Sequence, residues 1–178
     1  AGDVSRWEKV MKRLAIMNKY HPMNIDKDCH TIDFSKKVDI TMPEQEKLHL
    51  TLRDIFIDNG SVFFGGYSTH LYSNYMSESK QKLVNKIPDF DIISEDIEKC
   101  ALIVKEHLHR DKYKNIKIIN HDAIGEIIPK HIEIKVGKYS MAFIYQPIAC
   151  HSYNEISVDS KTVKVATIDT ILAFYLSF

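Results

Sequence analysis

Apolar residues recur at helical spacing in the first segment, SRWEKVMKRLAIMNKYHP, where Trp7, Val10, Met11, Leu14 and Met17 share one face and Pro22 closes the run. Residues 23–42 are polar and without period, which predicts a loop or linker. PEQEKLHLTLRDIFIDNG predicts a second helix, with Pro43 near its start and Asn59-Gly60 as its stop. SVFFGG predicts a short buried strand, and the polar stretch from Ser68 to Lys86 a long helix broken near Ser77–Ser79. PDFDIIS predicts a strand entered from a proline. EDIEKCALIVKEHLHRD predicts an amphipathic helix, acidic in its first turn and basic in its last, as the helix dipole prefers.

The pattern then turns to period two. NIKIINH, EIIPKHIEIKV, YSMAFIYQP, EISV and TVKVA alternate or run apolar between turn signals, and Val158-Asp159-Ser160-Lys161 reads as a hairpin tip. TIDTILAFYLSF closes the chain with Ile168, Ile171, Leu172, Tyr175 and Leu176 at helical spacing. The order of elements predicts an α+β fold, a mixed sheet with helices largely on one side. A chain that starts at Ala1 without methionine and stops inside a helix-like pattern is expected to be a fragment of a longer polypeptide.

Composition changes this picture little. The 178 residues suit one domain with a real core. Lysine and arginine balance aspartate and glutamate at 24 each, so the totals announce no nucleic-acid partner, although a basic groove can hide inside a neutral sum. Cys29, Cys100 and Cys150 are odd in number and far apart, as expected of reduced thiols in an intracellular protein. His107 and His109 do not share a helix face and read as surface residues. No apolar run approaches the length of about 20 residues that a membrane span needs, so no membrane partner is expected.

The chemistry concentrates in Asp89-Phe90-Asp91-Ile92. In a strand, Asp89 and Asp91 project to one face about 7 Å apart at the backbone, while Phe90 and Ile92 enter the core. Two such carboxylates can converge on divalent cations, which sit about 3.5–4 Å apart in two-metal sites. Magnesium takes hard oxygen ligands, with substrate phosphate completing its shell. The spacing alone is weak: Asp26-Lys27-Asp28 and Glu44-Gln45-Glu46 share it, in a polar loop and at a helix start. Gly65-Gly66 strengthens it, because a strand ending without Cβ atoms lets a ligand approach the main chain. If Ser68 opens the next helix, free N–H groups, the dipole and its hydroxyl face the same spot and suit a phosphate. The competing reading is a plain strand end with a Ser/Thr cap. The motif is neither a P-loop nor a dinucleotide fingerprint. A third carboxylate is wanted nearby. Glu133 in HIEIKV offers it, sharing its face with His131 and Lys135, ahead of Asp122 and Glu126 beside the turn at Gly125.

FGG(Y)S, PDFDIIS and the later HIEIKV together resemble the nucleotidyltransferase superfamily related to DNA polymerase β. The chain is more closely similar to the poly(A) polymerase catalytic subunits of large DNA viruses, of the mimivirus and poxvirus kind, in RWEKVMKRLAIMNKYHP and VKVATIDTILAFYLSF as well. It departs in the insertion YMSESKQKLVNKI between the glycines and the aspartates, and in having glutamate as third acid. The resemblance implies an N-terminal helix and linker over 1–42, a catalytic domain over 43–166 and the start of a further helix or domain over 167–178. It implies template-independent transfer of AMP from ATP to the 3′ end of RNA. Asp89, Asp91 and Glu133 would hold two Mg²⁺ or Mn²⁺ ions, and Gly65, Gly66 and Ser68 the triphosphate. It further implies a homodimer or a processivity subunit as protein partner, and a place in host cytoplasm and virion. Two alternatives carry the same motif: a nucleotidyltransferase acting on a protein or small molecule, and an inactive scaffold or partner subunit of the same fold.

Overall fold

A computed structural model of the chain describes residues 4–21, 42–73, 89–125 and 127–176. The chain forms two compact units, Ala1–Phe34 and Ser35–Phe178. In the first, helix α1 (Val4–Tyr20) forms as its period predicts, with Glu8 and Lys12 paired at 2.7 Å one turn apart.

The second unit contains α2 (Met42–Asp58), β1 (Val62–Phe64), α3 (Gly65–Tyr72), β2 (Phe90–Ile93) and α4 (Ile97–Arg110). There follow β3 (Ile116–His121), β4 (His131–Val136), β5 (Tyr139–Tyr145), β6 (Tyr153–Val158), β7 (Lys161–Ala166) and α5 (Ile168–Tyr175). The seven strands form one mixed sheet in the order β3-β4-β5-β2-β1-β7-β6. β1 runs parallel to β7 and β2 parallel to β5, and every other neighbouring pair is antiparallel.

Alternation decides the faces. Phe63, Phe90, Ile92, Ile132, Ile134, Ala142, Ile144, Val163 and Val165 point to one side. There they pack with Leu48, Leu52 and Phe56 of α2 and with Cys100, Val104 and Leu108 of α4. Asp96 caps α4 by accepting a 2.9 Å hydrogen bond from the Lys99 N–H. The opposite face carries a smaller cluster, where Ile171 and Phe174 of α5 cover Phe64, Ile93, Tyr145 and Ala166. The fold is thus the expected mixed sheet with its helices mainly on one side.

Two local expectations are corrected. α3 begins at Gly65, one turn before Ser68, because Gly65 itself turns the chain off the strand with φ +67. EIIPKHIEIKV is not one strand: Ile124 bridges Ile128 in a tight turn and β4 starts only at His131, after Pro129, which has no N–H to give a ladder. α5 forms as its spacing predicts, burying Thr170, Ile171 and Phe174 and leaving Ile168, Leu172, Tyr175 and Leu176 exposed. The hairpin tip forms as expected, with Asp159 and Ser160 both at positive φ. The insertion, the break near Ser77–Ser79 and Glu126 lie outside the described residues.

Candidate active site

The site begins where β1 meets α3. Phe64 is extended and stands opposite Asp91 in the ladder, and Gly65 starts the helix in the left-handed conformation. A Cβ built on Gly65 would lie 2.9 Å from both Cβ and Cγ of Asp91, and closer still to Oδ2. Only a glycine leaves that space to the carboxylate. Asp91 is therefore laid against the first main-chain atoms of a helix, where N–H groups lack intrahelical partners.

Asp89 immediately precedes β2 and, like Asp91, is half-buried, while Phe90 and Ile92 are fully buried between and beyond them. Both aspartates act on one phenol. Burial holds the acidity of Tyr145 well below that of a free tyrosine, and the charges of Asp91 and then Asp89 push in the same direction. The two carboxylates thus share a face with Tyr145. Gly66 is the second residue of α3, and Ser68, one turn in, is completely buried. The Ser68 hydroxyl makes no hydrogen bond among the described residues.

Glu133 stands apart from this group. Register runs Phe64, Asp91, Phe143, Glu133, Ile119 across five strands, so Glu133 faces the same side as Asp91 with Phe143 between them. Two strand spacings put their backbones about 9–10 Å apart. The Glu133 carboxylate is buried and engaged: Ser140 Oγ donates to Oε1, His121 Nε2 lies 3.2 Å from Oε2, and Lys135 Nζ lies 3.4 Å from Oε1. Burial would raise its pKa, but these hydrogen bonds and the lysine charge outweigh it and hold the carboxyl below its ordinary value. Among the described residues no three His, Cys, Asp or Glu side chains converge closely enough to hold one metal ion. Asp122, exposed just past the end of β3, is not part of the Asp91 group either.

The aromatic surroundings escaped the sequence reading. A cavity of about 260 Å³ opens beside Asp91 and Gly65, walled by Phe64, Phe143, Tyr145, Ile171, Phe174 and Tyr175. In the next register row, His121, His131 and Tyr145 stack across three strands, with centroids 4.7 and 4.8 Å apart. Alternation in YSMAFIYQP shows that Phe143 and Tyr145 share a face. Only the parallel pairing of β5 with β2, a long-range choice, sets that face beside Asp91.

The mixed sheet and its helices share their fold with a solved structure. The chain superposes on the crystal structure of the Megavirus polyadenylate synthase with a TM-score of 0.58 and 15% identity, covering 94% of this chain and 34% of that one. The chain thus spans about a third of the length of that protein. No protein-family profile and no curated protein sequence matches the chain.

Proposed function

We propose that this chain is the catalytic domain of a nucleotidyltransferase that moves AMP from ATP to the 3′ end of RNA. The observation carrying the proposal is the contact of Asp91 with the main chain of Gly65, which sets a carboxylate at the mouth of a helix able to receive a phosphate. The likeness to a polyadenylate synthase supports the fold on which this reading stands.

The donor set at this spot fits magnesium. That ion is commonly held by one or two carboxylates, with waters and substrate phosphates completing its shell. Asp89 and Asp91 would be the protein ligands, and Glu133, two strands further on and already engaged, keeps its neighbours in register instead. Bound there, the ions would offset charge on the triphosphate and lower the pKa of the attacking 3′-hydroxyl. Gly65 and Gly66 admit the triphosphate to the main chain, and the first N–H groups of α3 donate to its oxygens. Ser68 presents a hydroxyl that no other described residue satisfies, inside the same first turns. Phe90 and Ile92, locked in the core, fix the direction in which the aspartates point. A primer-extension assay with ATP and Mg²⁺ tests the reading: Asp91→Asn should abolish extension while circular dichroism and melting stay close to wild type. Wild-type extension by Asp91→Asn would end it.

One observation favours a second reading, a silent scaffold subunit of the same fold. The strand beside Asp91 presents Phe143 rather than a third carboxylate. In that case wild-type protein binds no Mn²⁺ in calorimetry and extends no primer.

A further inference from the structure

The end of the sheet away from Gly65 and Asp89 holds a larger cavity, of about 760 Å³. Topology opens it. β2 and β5 run parallel, side by side. The chain leaves β2 into α4, which packs on the large core, and leaves β5 towards His151. That imidazole lies 5.7 Å from Phe174 of α5, on the opposite face, between ring centroids. Parallel neighbours whose connections part to opposite faces leave a crevice beyond their carboxyl ends, where open sheets take ligands. The turn at Asn59, Gly60 and Ser61 closes one side of it, and Tyr153 and Lys164 of β6 and β7 another.

The polar groups inside are mainly donors. Lys164 holds its ammonium 5.2 Å from the centre of the Tyr153 ring and 3.9 Å from where a Cβ on Gly60 would stand. Lys99 lines the crevice from the first turn of α4. Ser61 is 3% exposed, and neither its hydroxyl nor Nε2 of His151 has a hydrogen-bond partner among the described residues. Asn59, Ser61 and Ser94 also stand beside the buried Cys100 thiol, but a thiol is a weak partner. The two carboxylates keep to the exposed rim: Asp96 already caps α4 by accepting the Lys99 N–H, and Glu95 precedes it. Val62, Ile93, Pro147 and Ala149 supply an apolar wall.

We propose that this crevice binds a small organic molecule carrying one oxyanionic group, a phosphate monoester or a carboxylate, on an apolar body. The anion accepts from Lys99, Lys164 and the Ser61 hydroxyl, and the body lies along the wall of Val62 and Ile93. A wholly apolar ligand would leave the buried hydroxyl unpaired, which is costly. Glu95 and Asp96 offset the two ammonium groups, so a polyphosphate is disfavoured against a singly anionic ligand. The volume suits such a molecule, since pockets for organic ligands run to about 300–1,000 Å³. The site shares no residue with the Gly65 turn or the aspartates, so it stands apart from the nucleotidyl-transfer reading.

Cys150, exposed on the rim, serves as reporter. In the full chain carrying Cys29→Ser, the other cysteine is the buried Cys100, so iodoacetamide modifies Cys150. Phenyl phosphate or phenylacetate should slow this alkylation saturably. Inorganic phosphate has the anion alone and 2-phenylethanol the body alone, and each should need a concentration about tenfold higher. Protection by phenyl phosphate only assigns a phosphate monoester, and by phenylacetate only a carboxylate. Ser61→Ala and Lys99→Gln should each raise the half-protecting concentration by about tenfold. Both are expected to fold, because one removes an unpartnered hydroxyl and the other changes an exposed side chain. No protection by either organic probe, unchanged protection in either variant, or inorganic phosphate acting as well as the organic probes overturns the proposal. Asp91→Asn should be protected like wild type, and its loss of protection would place the probes at the Gly65 turn and end the proposal as well.

Discussion

The side chain of Asp91 fills the space that any side chain on Gly65 would need, so one residue is small because the other is there. Gly65→Ala should destabilise the protein through two separable effects. The left-handed φ of +67 costs an alanine about 1–2 kcal/mol, and the clash with Asp91 adds to it. A double-mutant cycle with Asp91→Gly isolates the second. In urea unfolding, Gly65→Ala should cost clearly less in the Asp91→Gly background than in wild type. Equal costs in both backgrounds would remove the contact on which the site is built.

Tyr145 reports on both aspartates without any ligand. Its phenol is held neutral first by burial, then by the charge of Asp91, then by that of Asp89. Neutralising a nearby negative charge makes ionisation easier, so Asp91→Asn should lower the Tyr145 pKa, and Asp89→Asn should lower it less. Ultraviolet titration against a Tyr145→Phe reference resolves this group from the other tyrosines. An unmoved titration in Asp91→Asn would place that carboxylate elsewhere.

Glu133 is expected to act on structure before chemistry. Its carboxylate receives Ser140 and faces His121 and Lys135 from a buried position. Glu133→Ala leaves these groups without their acceptor and should cost about 1–3 kcal/mol of stability, while Mn²⁺ affinity falls far less than in Asp91→Asn. A loss of metal affinity as large as that of Asp91→Asn, at unchanged stability, would make Glu133 a ligand after all.

Ser68 inverts the usual expectation for a buried polar residue. A buried hydroxyl without a partner costs about 1–3 kcal/mol, and Ser68 has none among the described residues. Ser68→Ala should therefore leave melting temperature equal or raise it, yet weaken binding of ribose 5′-triphosphate. Destabilisation with unaltered triphosphate affinity would show a structural hydroxyl and no phosphate contact.

What the sequence made legible follows from how local each cause is. The two faces of β2 were readable because period two in Asp89-Phe90-Asp91-Ile92 needs no partner strand. The glycine turn was readable as a close approach, but what approaches Gly65 is a residue from the next strand, which no local pattern names. Glu133 shows the limit: alternation put it on the right face, yet insertion of β5 between β2 and β4 sets its distance from Asp91. That insertion is decided by parallel pairing of β5 with β2, a contact between segments some fifty residues apart. The start of α3 was misplaced because a serine looks like a cap, whereas here a glycine at positive φ does the turning.

His49 gives the fold a pH dependence that can be measured apart from activity. The imidazole stacks on Phe90 at 4.4 Å between centroids, and burial, then the charges of Arg53 and His70, lower its pKa from 6.5 to about 4. The unfolded chain takes up the proton near pH 6.5, but the folded chain resists it until about pH 4. Between those values the unfolded state binds more protons, so unfolding free energy falls as pH falls. The loss is complete below about pH 4, and a shift of this size is worth on the order of 3 kcal/mol. His49→Phe keeps a ring against Phe90 and removes the titration, so its stability should decline less steeply across that window. Urea unfolding at pH 7, 5.5 and 4 measures both slopes. Parallel curves for wild type and His49→Phe would mean that another group carries the acid sensitivity and that His49 is not held neutral under Phe90.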